Sequence, residues 1–361
     1  MSRPAKAIVD LAALRHNYQQ AQAQAPAAQT LAVVKANAYG HGAVAAAKAL
    51  EPLAPVLAVA CIEEALELRG AGIQKPILLL EGPFDDEEVL IASKENFWLM
   101  ASGIEQVERI AQANVEKPLT VWLKADSGMH RLGLQGEQLK HAHQRLSALS
   151  HIQQPIVLAT HFAAADELDS DFTLQQIKQF ATMAEGIKAP VSMANSAGVL
   201  GWKEALGDYN RPGIMLYGSS PFEQSHPLAD QLKTVMTLQS EVIAVRQIDA
   251  GETVGYGRSW IAQRPSTIAT VAIGYGDGYP RHAPNGTPVL VNGVEAPLAG
   301  RVSMDMITVD VTELDDVKVG DPVELWGPQL PLNTIAAHAG TISYELVTRM
   351  PLRTPRVYIN A

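Results

Sequence analysis

The stretch Leu31-Ala-Val-Val-Lys35-Ala-Asn-Ala-Tyr39-Gly-His-Gly42 joins an apolar run to a lysine and then to two glycines. Its first four residues, with two adjacent β-branched valines, are typical of a buried strand. A lysine that ends a strand of a parallel sheet lies at the carboxyl edge, where such folds place their chemistry. The glycines that flank His41 indicate backbone brought close to a ligand or phosphate. Lys35 is therefore the first candidate functional residue, although a lysine at a strand end is more often a surface residue.

The bulk properties of the chain exclude several classes of protein. Its 361 residues, 47% of them hydrophobic, are enough for a large core and two domains. The net charge of -10 and the lack of a basic stripe argue against nucleic acid as a partner. A single cysteine, Cys61, argues against a disulfide framework and a cysteine-based zinc site, and we expect no bound metal. Neither a signal peptide nor a membrane-spanning run is evident, so we expect a cytoplasmic enzyme with no membrane partner.

Apolar runs alternate with helix-like segments over the first 230 residues. The runs expected to be strands are 31–34, 56–60, 77–80, 97–100, 119–123, 156–159, 191–194 and 213–217. The segments with helical spacing between them are 63–69, 85–93, 105–113, 138–149 and 174–187. Strands separated by helices indicate an α/β fold with a parallel sheet, and their number favours a (β/α)8 TIM-type barrel over residues 10–230. An open doubly wound sheet remains the alternative.

A change of texture after residue 230 predicts a second, C-terminal mostly-β domain over 231–361. Strand-like runs lie at 238–245, 267–273, 289–291, 306–311 and 322–325, with turn dipeptides such as Asn285-Gly and Asn292-Gly between them. A helical pattern returns only near 333–350. The strand-like 7–9 fits either domain, and we assign residues 1–9 to the second one.

Polar side chains follow several of the predicted barrel strands. Besides Lys35 they are Lys124, Arg131, His161, Asn195, Ser196 and Arg211. Each has an ordinary structural explanation by itself, such as a helix N-cap for Asn195-Ser196. So many of them on one rim indicate a functional site.

The combination has a chemical logic. A lysine in an apolar site can form a Schiff base with a carbonyl cofactor, of which pyridoxal 5′-phosphate is the main example. Ser196 and the backbone of Gly213 and Ile214 would suit the phosphate, and His161 would suit the face of the ring. Arg211 is permanently charged and cannot accept a proton from the pyridine nitrogen, so the ring would stay neutral. Such a site favours exchange of the Cα proton over transamination.

Motifs spread in order over nearly the whole chain resemble those of the bacterial alanine racemases. They are Lys35-Ala-Asn-Ala-Tyr-Gly-His-Gly42, Asp126-Ser-Gly-Met-His-Arg-Leu-Gly133, His161-Phe-Ala, Asn195-Ser-Ala, Arg211-Pro-Gly-Ile214, Gly255-Tyr-Gly, Gly274-Tyr-Gly-Asp-Gly-Tyr-Pro-Arg281 and Gly300-Arg-Val-Ser-Met-Asp305. The resemblance implies an N-terminal barrel, a C-terminal β domain and racemisation of alanine with pyridoxal 5′-phosphate. The product would be D-alanine for peptidoglycan precursors, or alanine destined for breakdown.

The resemblance also implies which residues hold the cofactor. Lys35 would carry it, His161 would lie against its ring and Arg211 would face its pyridine nitrogen. The phosphate would be held by Tyr39, Ser196, Gly213, Ile214 and Tyr344. Arg131 would bind near the phenolic oxygen and the substrate carboxylate, and Lys124 matches a position that is carbamylated in some relatives.

The substrate residues implied by the resemblance lie mostly in the β domain. Tyr256 matches the second catalytic base, Met304 and Asp305 match the substrate-carboxylate end, and Asp166, Tyr275 and Arg281 would line the entrance. In this family the β-domain residues act on the neighbouring subunit's cofactor, which implies a head-to-tail homodimer with shared active sites. Two positions depart from the family pattern, since His130 is often glycine there and Ser192 is histidine in some relatives.

Racemisation itself requires two proton-transfer groups, because a proton leaves one face of Cα and another arrives on the opposite face. Lys35 and Tyr256 would supply them and exchange roles for the two enantiomers. A free tyrosine has a pKa of about 10, so Tyr256 would need a neighbouring cation or hydrogen bond.

Three other functions fit parts of the sequence. A broad-specificity amino-acid racemase would share every motif. A decarboxylase of basic amino acids would use a catalytic cysteine in the β domain, whereas Cys61 lies far from it in sequence. A non-enzymatic protein that only carries pyridoxal 5′-phosphate would leave Tyr256 and Met304-Asp305 without a purpose.

Overall fold

The computed structural model describes residues 3–361, and its first domain is a parallel barrel. The strands are Gln29–Thr30, Ala32–Val33, Leu57–Val59, Ile77–Leu79, Phe97–Ala101, Val121–Lys124, Val157–Ala159, Val191–Ser192 and Tyr209–Asn210. All of their pairings are parallel. The first two segments are halves of one strand, so the nine paired segments make a ring of eight.

The ring closes at residues 29–33, whose backbone bonds alternately to the second and to the last strand of the barrel. The N–H of Leu31 donates to the carbonyl of Asn210 at 2.8 Å, and the N–H of Ala32 donates to that of Val56 at 3.1 Å on the other side. Successive N–H groups of a strand point in opposite directions, so this one strand serves both partners. Closure leaves the sheet without an edge.

Helices follow the strands and cover the outside of the barrel. They are Leu11–Gln24, Ala43–Leu50, Ile62–Gly70, Asp86–Glu95, Ile104–Gln112, Glu137–Ser147, Phe172–Met183 and Ser196–Gly201. Several begin at a side-chain cap: Asp10 accepts from the N–H of Ala12 at 2.8 Å, and Asn195 accepts from that of Gly198 at 2.9 Å. No helix within residues 3–361 is both long and apolar enough to cross a membrane.

The second domain is mostly β. Its strands are Lys6–Asp10, Met236–Ile248, Thr253–Val254, Trp260–Ile261, Ser266–Val271, Pro288–Val291, Val294–Pro297, Ile307–Asp310, Pro322–Trp326 and Arg356–Ile359, and its helices are Leu332–His338 and Ser343–Thr348. The long strand Met236–Ile248 is central, since it pairs with the first strand of the chain, with Pro322–Trp326 and with Ser266–Val271. The fold class expected from the sequence, a (β/α)8 barrel with a C-terminal mostly-β domain, is confirmed.

One predicted barrel strand is wrong. The run 213–217 is not in the sheet: Ile214–Tyr217 is a 3-10 helix, and the eighth strand is Tyr209–Asn210. This helix is buried against Leu11–Gln24, where the Asn17 side chain donates to the carbonyl of Leu216 at 3.1 Å. An apolar run of this length is equally suited to a buried helix, and periodicity alone does not separate the two.

Candidate active site

A cavity of about 650 Å³ opens at the carboxyl edge of the barrel. All of the cofactor-site residues expected from the sequence line it, and they are Lys35, Tyr39, Lys124, Arg131, His161, Ser196, Arg211, Gly213, Ile214 and Tyr344. They come from both ends of the barrel sequence and from a helix of the β domain. The carboxyl ends of parallel strands meet at one rim, which is why residues so distant in sequence converge.

Lys35 begins a turn of left-handed helix. Ala36, Asn37, Ala38 and Tyr39 have φ of +52°, +55°, +51° and +51°, and the N–H of Gly40 donates to the carbonyl of Ala36 at 3.0 Å. Left-handed backbone costs non-glycine residues about 1–2 kcal/mol each, so such a turn needs external support.

Contacts from four directions support this turn. Asn37 Oδ1 accepts from the N–H of Ala43 at 2.7 Å, and the Tyr39 ring stacks on Tyr217 with centroids 4.8 Å apart. At the start of the turn, Glu64 Oε1 accepts from the N–H of Ala36 at 2.6 Å. At its end, Arg356 Nε donates to the carbonyl of Gly40 at 3.0 Å.

The cavity concentrates positive charge. Among residues 3–361, no carboxylate lies within ion-pair distance of Lys35, Lys124, Arg131 or Arg211. Burial lowers the pKa of Lys124 to about 8, and the nearby guanidinium groups of Arg211 and Arg131 add to the shift. Burial and the same cations hold the pKa of His161 well below its usual value, so its imidazole is neutral. The arrangement calls for anionic groups.

Arg211 is held by neutral acceptors only. Its guanidinium donates to the Ser192 hydroxyl, to the carbonyl of Thr160 at 2.7 Å and to that of Met193 at 3.3 Å. The side chain is almost fully buried, and burial lowers its pKa to about 10. Arg211 therefore stays a cation at neutral pH and has no basic site. Ser192 takes part in this support through its hydroxyl.

Neutral donors gather at one end of the cavity. Ser196 Oγ accepts from the N–H of Gly213 at 2.8 Å, which leaves its own hydrogen to donate. The hydroxyls of Tyr39 and Tyr344 have no hydrogen-bond partner among the described residues, and burial raises the pKa of both, so they stay protonated. A Cβ added to Gly213 would lie 2.3 Å from the Tyr39 hydroxyl oxygen, so only glycine fits there. Such donors suit a phosphate.

The second group of predicted residues is not in this cavity. Tyr256 lies on the 3-10 helix Tyr256–Arg258 with its side chain 71% exposed, and Met304 is 52% exposed. Asp305, Tyr275 and Arg281 do not line the cavity either. Asp166 lines a separate groove together with Glu167, Asp169 and Glu223. A single chain thus presents the β-domain residues to the surface.

A buried carboxylate organises that surface. Asp277 is 1% exposed and binds Arg3 at 2.6 Å and Arg353 at 2.9 Å. Arg353 also pairs with Asp305. The N–H of Gly276 donates to the carbonyl of Met304 at 2.8 Å, so the segments that carry Tyr275 and Met304 are joined backbone to backbone.

Four residues of these arrangements were missed from the sequence: Glu64, Asp277, Arg353 and Arg356. Asp277 lies within the motif Gly274-Tyr-Gly-Asp-Gly, which was a usable signal. Glu64 lies in a helix, Arg356 in a strand and Arg353 in a turn, and none of these contexts gave a signal. No group of three or more His, Cys, Asp or Glu side chains in residues 3–361 is arranged to bind a metal.

Comparison with known proteins gives matches over both domains. A family model described as "Alanine racemase, N-terminal domain" matches residues 9–221, and one described as "Alanine racemase, C-terminal domain" matches residues 235–358. The alanine racemase of Pseudomonas taetrolens and the catabolic alanine racemase of Pseudomonas putida are each 53% identical over 99% of both chains.

Solved structures agree. The biosynthetic alanine racemase of Pseudomonas aeruginosa is 48% identical and superposes with a TM-score of 0.96 over 99% of this chain and 100% of that one. The alanine racemase of Bartonella henselae with covalently bound pyridoxal phosphate is 34% identical, with a TM-score of 0.90 over 99% of each chain.

Proposed function

The chain belongs to the alanine racemase family and interconverts L-alanine and D-alanine, and we propose that it does so with pyridoxal 5′-phosphate carried by Lys35. The observation that supports this most is that one cavity brings Lys35 together with cations that have no carboxylate partner and with neutral hydrogen-bond donors that suit a phosphate. When bound, the cofactor withdraws electrons from the substrate Cα and so makes its proton acidic. The residues present fit it, because every anionic part of the cofactor has a cation or a neutral donor within the same cavity.

Different residues would bind the phosphate and the ring of the cofactor. Ser196, Tyr39, Tyr344 and the backbone at Gly213 and Ile214 would hold the phosphate. His161, neutral because of burial, would lie against the ring without adding charge.

Arg211 would face the pyridine nitrogen and donate to it. Its acceptors are a hydroxyl and two carbonyls, so its charge is not cancelled within the protein. A permanent donor at this position keeps the ring nitrogen unprotonated, and a less electron-poor ring favours return of the proton over transamination.

Two proton-transfer groups complete the chemistry. We propose that the amine of Lys35 takes or returns the Cα proton on one face and that the Tyr256 hydroxyl does so on the other. Tyr256 is exposed and outside its own chain's cavity. This supports a head-to-tail homodimer in which each chain lends Tyr256 to its partner's site.

The binding site for the substrate carboxylate would likewise combine residues of both chains. Arg131 from the barrel chain and Met304 and Asp305 from the other chain would bind the substrate carboxylate. Tyr275, Arg281 and Asp166 would border the entrance. The backbone hydrogen bond from Gly276 to Met304 joins the segments that carry these residues into one patch.

Lys124 is proposed to be carbamylated. Its pKa of about 8 leaves much of it as the neutral amine near that pH, and a neutral amine adds to CO2 with loss of a proton. The resulting anion would lie among Arg131 and Arg211 and would remove the repulsion that now surrounds Lys124.

Alanine is the proposed preferred substrate, and a broad-specificity racemase is the alternative. One methylene in a pocket changes selectivity by only about 1–3 kcal/mol, so larger side chains need direct testing. The product would serve wall-precursor synthesis or alanine breakdown. The relatives include enzymes named for both roles.

The test combines a spectrum with a substrate panel. Purified protein should be yellow, and Lys35→Ala should lose the visible band. With cofactor present, L-alanine should give D-product faster than any other L-amino acid of a panel. A colourless wild-type protein would remove the cofactor argument, and equal rates over the panel would favour the broad-specificity enzyme.

A further inference from the structure

We propose that Glu64 is a positioning residue that fixes Lys35 for reaction, an inference that rests on the proposed role of Lys35. Glu64 lies in the first turn of the helix Ile62–Gly70, outside the cavity. Its carboxylate bridges two backbone amides: Oε1 accepts from Ala36 at 2.6 Å and Oε2 accepts from Ala60 at 2.8 Å. Both bonds are charge-assisted.

The two amides lie beyond the carboxyl ends of neighbouring barrel strands. Ala60 directly follows Leu57–Val59, and Ala36 is the third residue after Ala32–Val33. Backbone N–H groups beyond a sheet edge need another acceptor. One carboxylate therefore ties together the carboxyl ends of the first two barrel strands.

The bond to Ala36 acts where the left-handed turn begins. Ala36 directly follows Lys35, and its φ of +52° starts the unfavourable run. The other supports, at Asn37, Tyr39 and Gly40, act further along the turn. Among residues 3–361, only Glu64 supplies a side-chain acceptor to the amide that adjoins the lysine.

The consequence for Lys35 is geometric. The direction of its side chain depends on the backbone at residues 35 and 36, and an amine that transfers a proton must lie over the reacting carbon. A displacement of about 1 Å costs such a step about 100-fold in rate. Glu64 would act through this backbone and would not touch the substrate.

Glu64→Gln is the sharp variant, because it keeps the shape but replaces one acceptor oxygen by a donor that faces an N–H. Glu67→Gln is the matched control: Glu67 is on the same helix, is exposed and makes no side-chain hydrogen bond among the described residues. In the holoenzyme we expect kcat for L-alanine to fall about 10-fold to 100-fold in Glu64→Gln, with KM within about twofold. Glu67→Gln should match wild type.

A second measurement does not depend on turnover. In cofactor-free protein, amide exchange of a peptide covering residues 34–40 should be at least about 10-fold faster in Glu64→Gln than in wild type. On addition of pyridoxal 5′-phosphate, the visible band should also grow more slowly. A kcat within about twofold of wild type together with unchanged exchange at 34–40 would overturn the proposal.

Two further observations distinguish failure of this proposal from a folding defect and from failure of the proposed function. If Glu64→Gln does not fold, Glu64→Asp retains the charge but is one methylene shorter and does not span both amides. The kcat of Glu64→Asp should be lower than that of wild type, by up to about 10-fold. A kcat equal to that of wild type in Glu64→Asp would refute the positioning role of Glu64. If wild-type protein forms no visible band, the cofactor role of Lys35 fails whatever the exchange data show.

Discussion

Arg356 donates through Nε to the carbonyl of Gly40 at 3.0 Å and so joins the last strand of the chain to the turn that begins at Lys35. The rest of its guanidinium donates to the carbonyls of Thr354 at 2.9 Å and Met350 at 2.7 Å. One half-buried side chain thus connects the barrel rim with the segment 350–354, in which Arg353 pairs with Asp277.

Removing this connection should destabilise the protein. We expect Arg356→Ala to lower the free energy of unfolding by about 3 kcal/mol, because several carbonyls lose a charged donor. Arg349→Ala is the control, since Arg349 is 70% exposed and its ion pair with Glu345 is weakened by solvent screening. Urea unfolding of the cofactor-free protein measures both, and equal midpoints for the two variants would contradict the expectation.

Tyr256→Phe should separate the two faces of the substrate. Without the tyrosine hydroxyl, racemisation should fall by about 100-fold or more, since a general base contributes at least that much. Exchange of the Cα proton with D2O should continue for the enantiomer whose proton faces Lys35 and be lost for the other. Proton NMR of L-alanine and D-alanine in D2O measures this. Tyr209→Phe, which removes a hydroxyl in the barrel, should change neither, and equal losses for both enantiomers would exclude Tyr256 as a base.

Mixing two inactive variants should restore activity if the sites are shared. A hybrid dimer of Lys35→Ala and Tyr256→Phe has one site with both residues intact and one with neither. Random exchange makes half of the dimers hybrids, so about one quarter of wild-type activity should return. The double variant mixed with Lys35→Ala should recover none, and this comparison controls for any activation by mixing itself. Absence of rescue after demonstrated subunit exchange would argue for sites built within one chain.

Carbamylation of Lys124 should depend on pH in a definite direction. Its pKa is lowered to about 8, and only the neutral amine reacts with CO2, so the modified fraction should rise as pH increases through about 8. Surface lysines, with pKa values of about 10.4, should react much less at that pH. Carbon NMR with ¹³C-bicarbonate measures the carbamate, and Lys124→Ala should remove the signal. A signal of the same size in that variant would show that other lysines are its source.

The barrel was predictable because its evidence is local and repeated. Each strand is a short apolar run and each helix has its own spacing, and the polar groups after the runs marked the rim. The strand prediction failed at 213–217, where the apolar run is buried as a 3-10 helix. A buried helix and a buried strand have the same local hydrophobicity. The terminal strand Arg356–Ile359 also gave no clear pattern, because most of its residues are exposed.

The supports of the site were beyond the reach of sequence patterns for a different reason. Of the four residues Ala36-Asn-Ala-Tyr39 only the asparagine adopts left-handed backbone readily, so the sequence does not predict a whole turn of it. In the sequence, Glu64 is one of two adjacent glutamates at the start of the helix-like segment 63–69. Its role depends on two backbone amides that come together only when adjacent strands pair, and the distance between these amides is set by the fold.

The closure of the barrel at residues 29–33 also orders events during synthesis. Lys35 leaves the ribosome early, but Ser196, Gly213 and Ile214, which we propose hold the phosphate, are made almost last in this domain. The strand before Lys35 pairs on one side with Tyr209–Asn210, so the ring is incomplete until about 180 more residues have emerged. On the proposed assignment, a nascent chain would lack part of its phosphate site until these residues, and Tyr344 of the β domain, have emerged, so cofactor loading would be a late step.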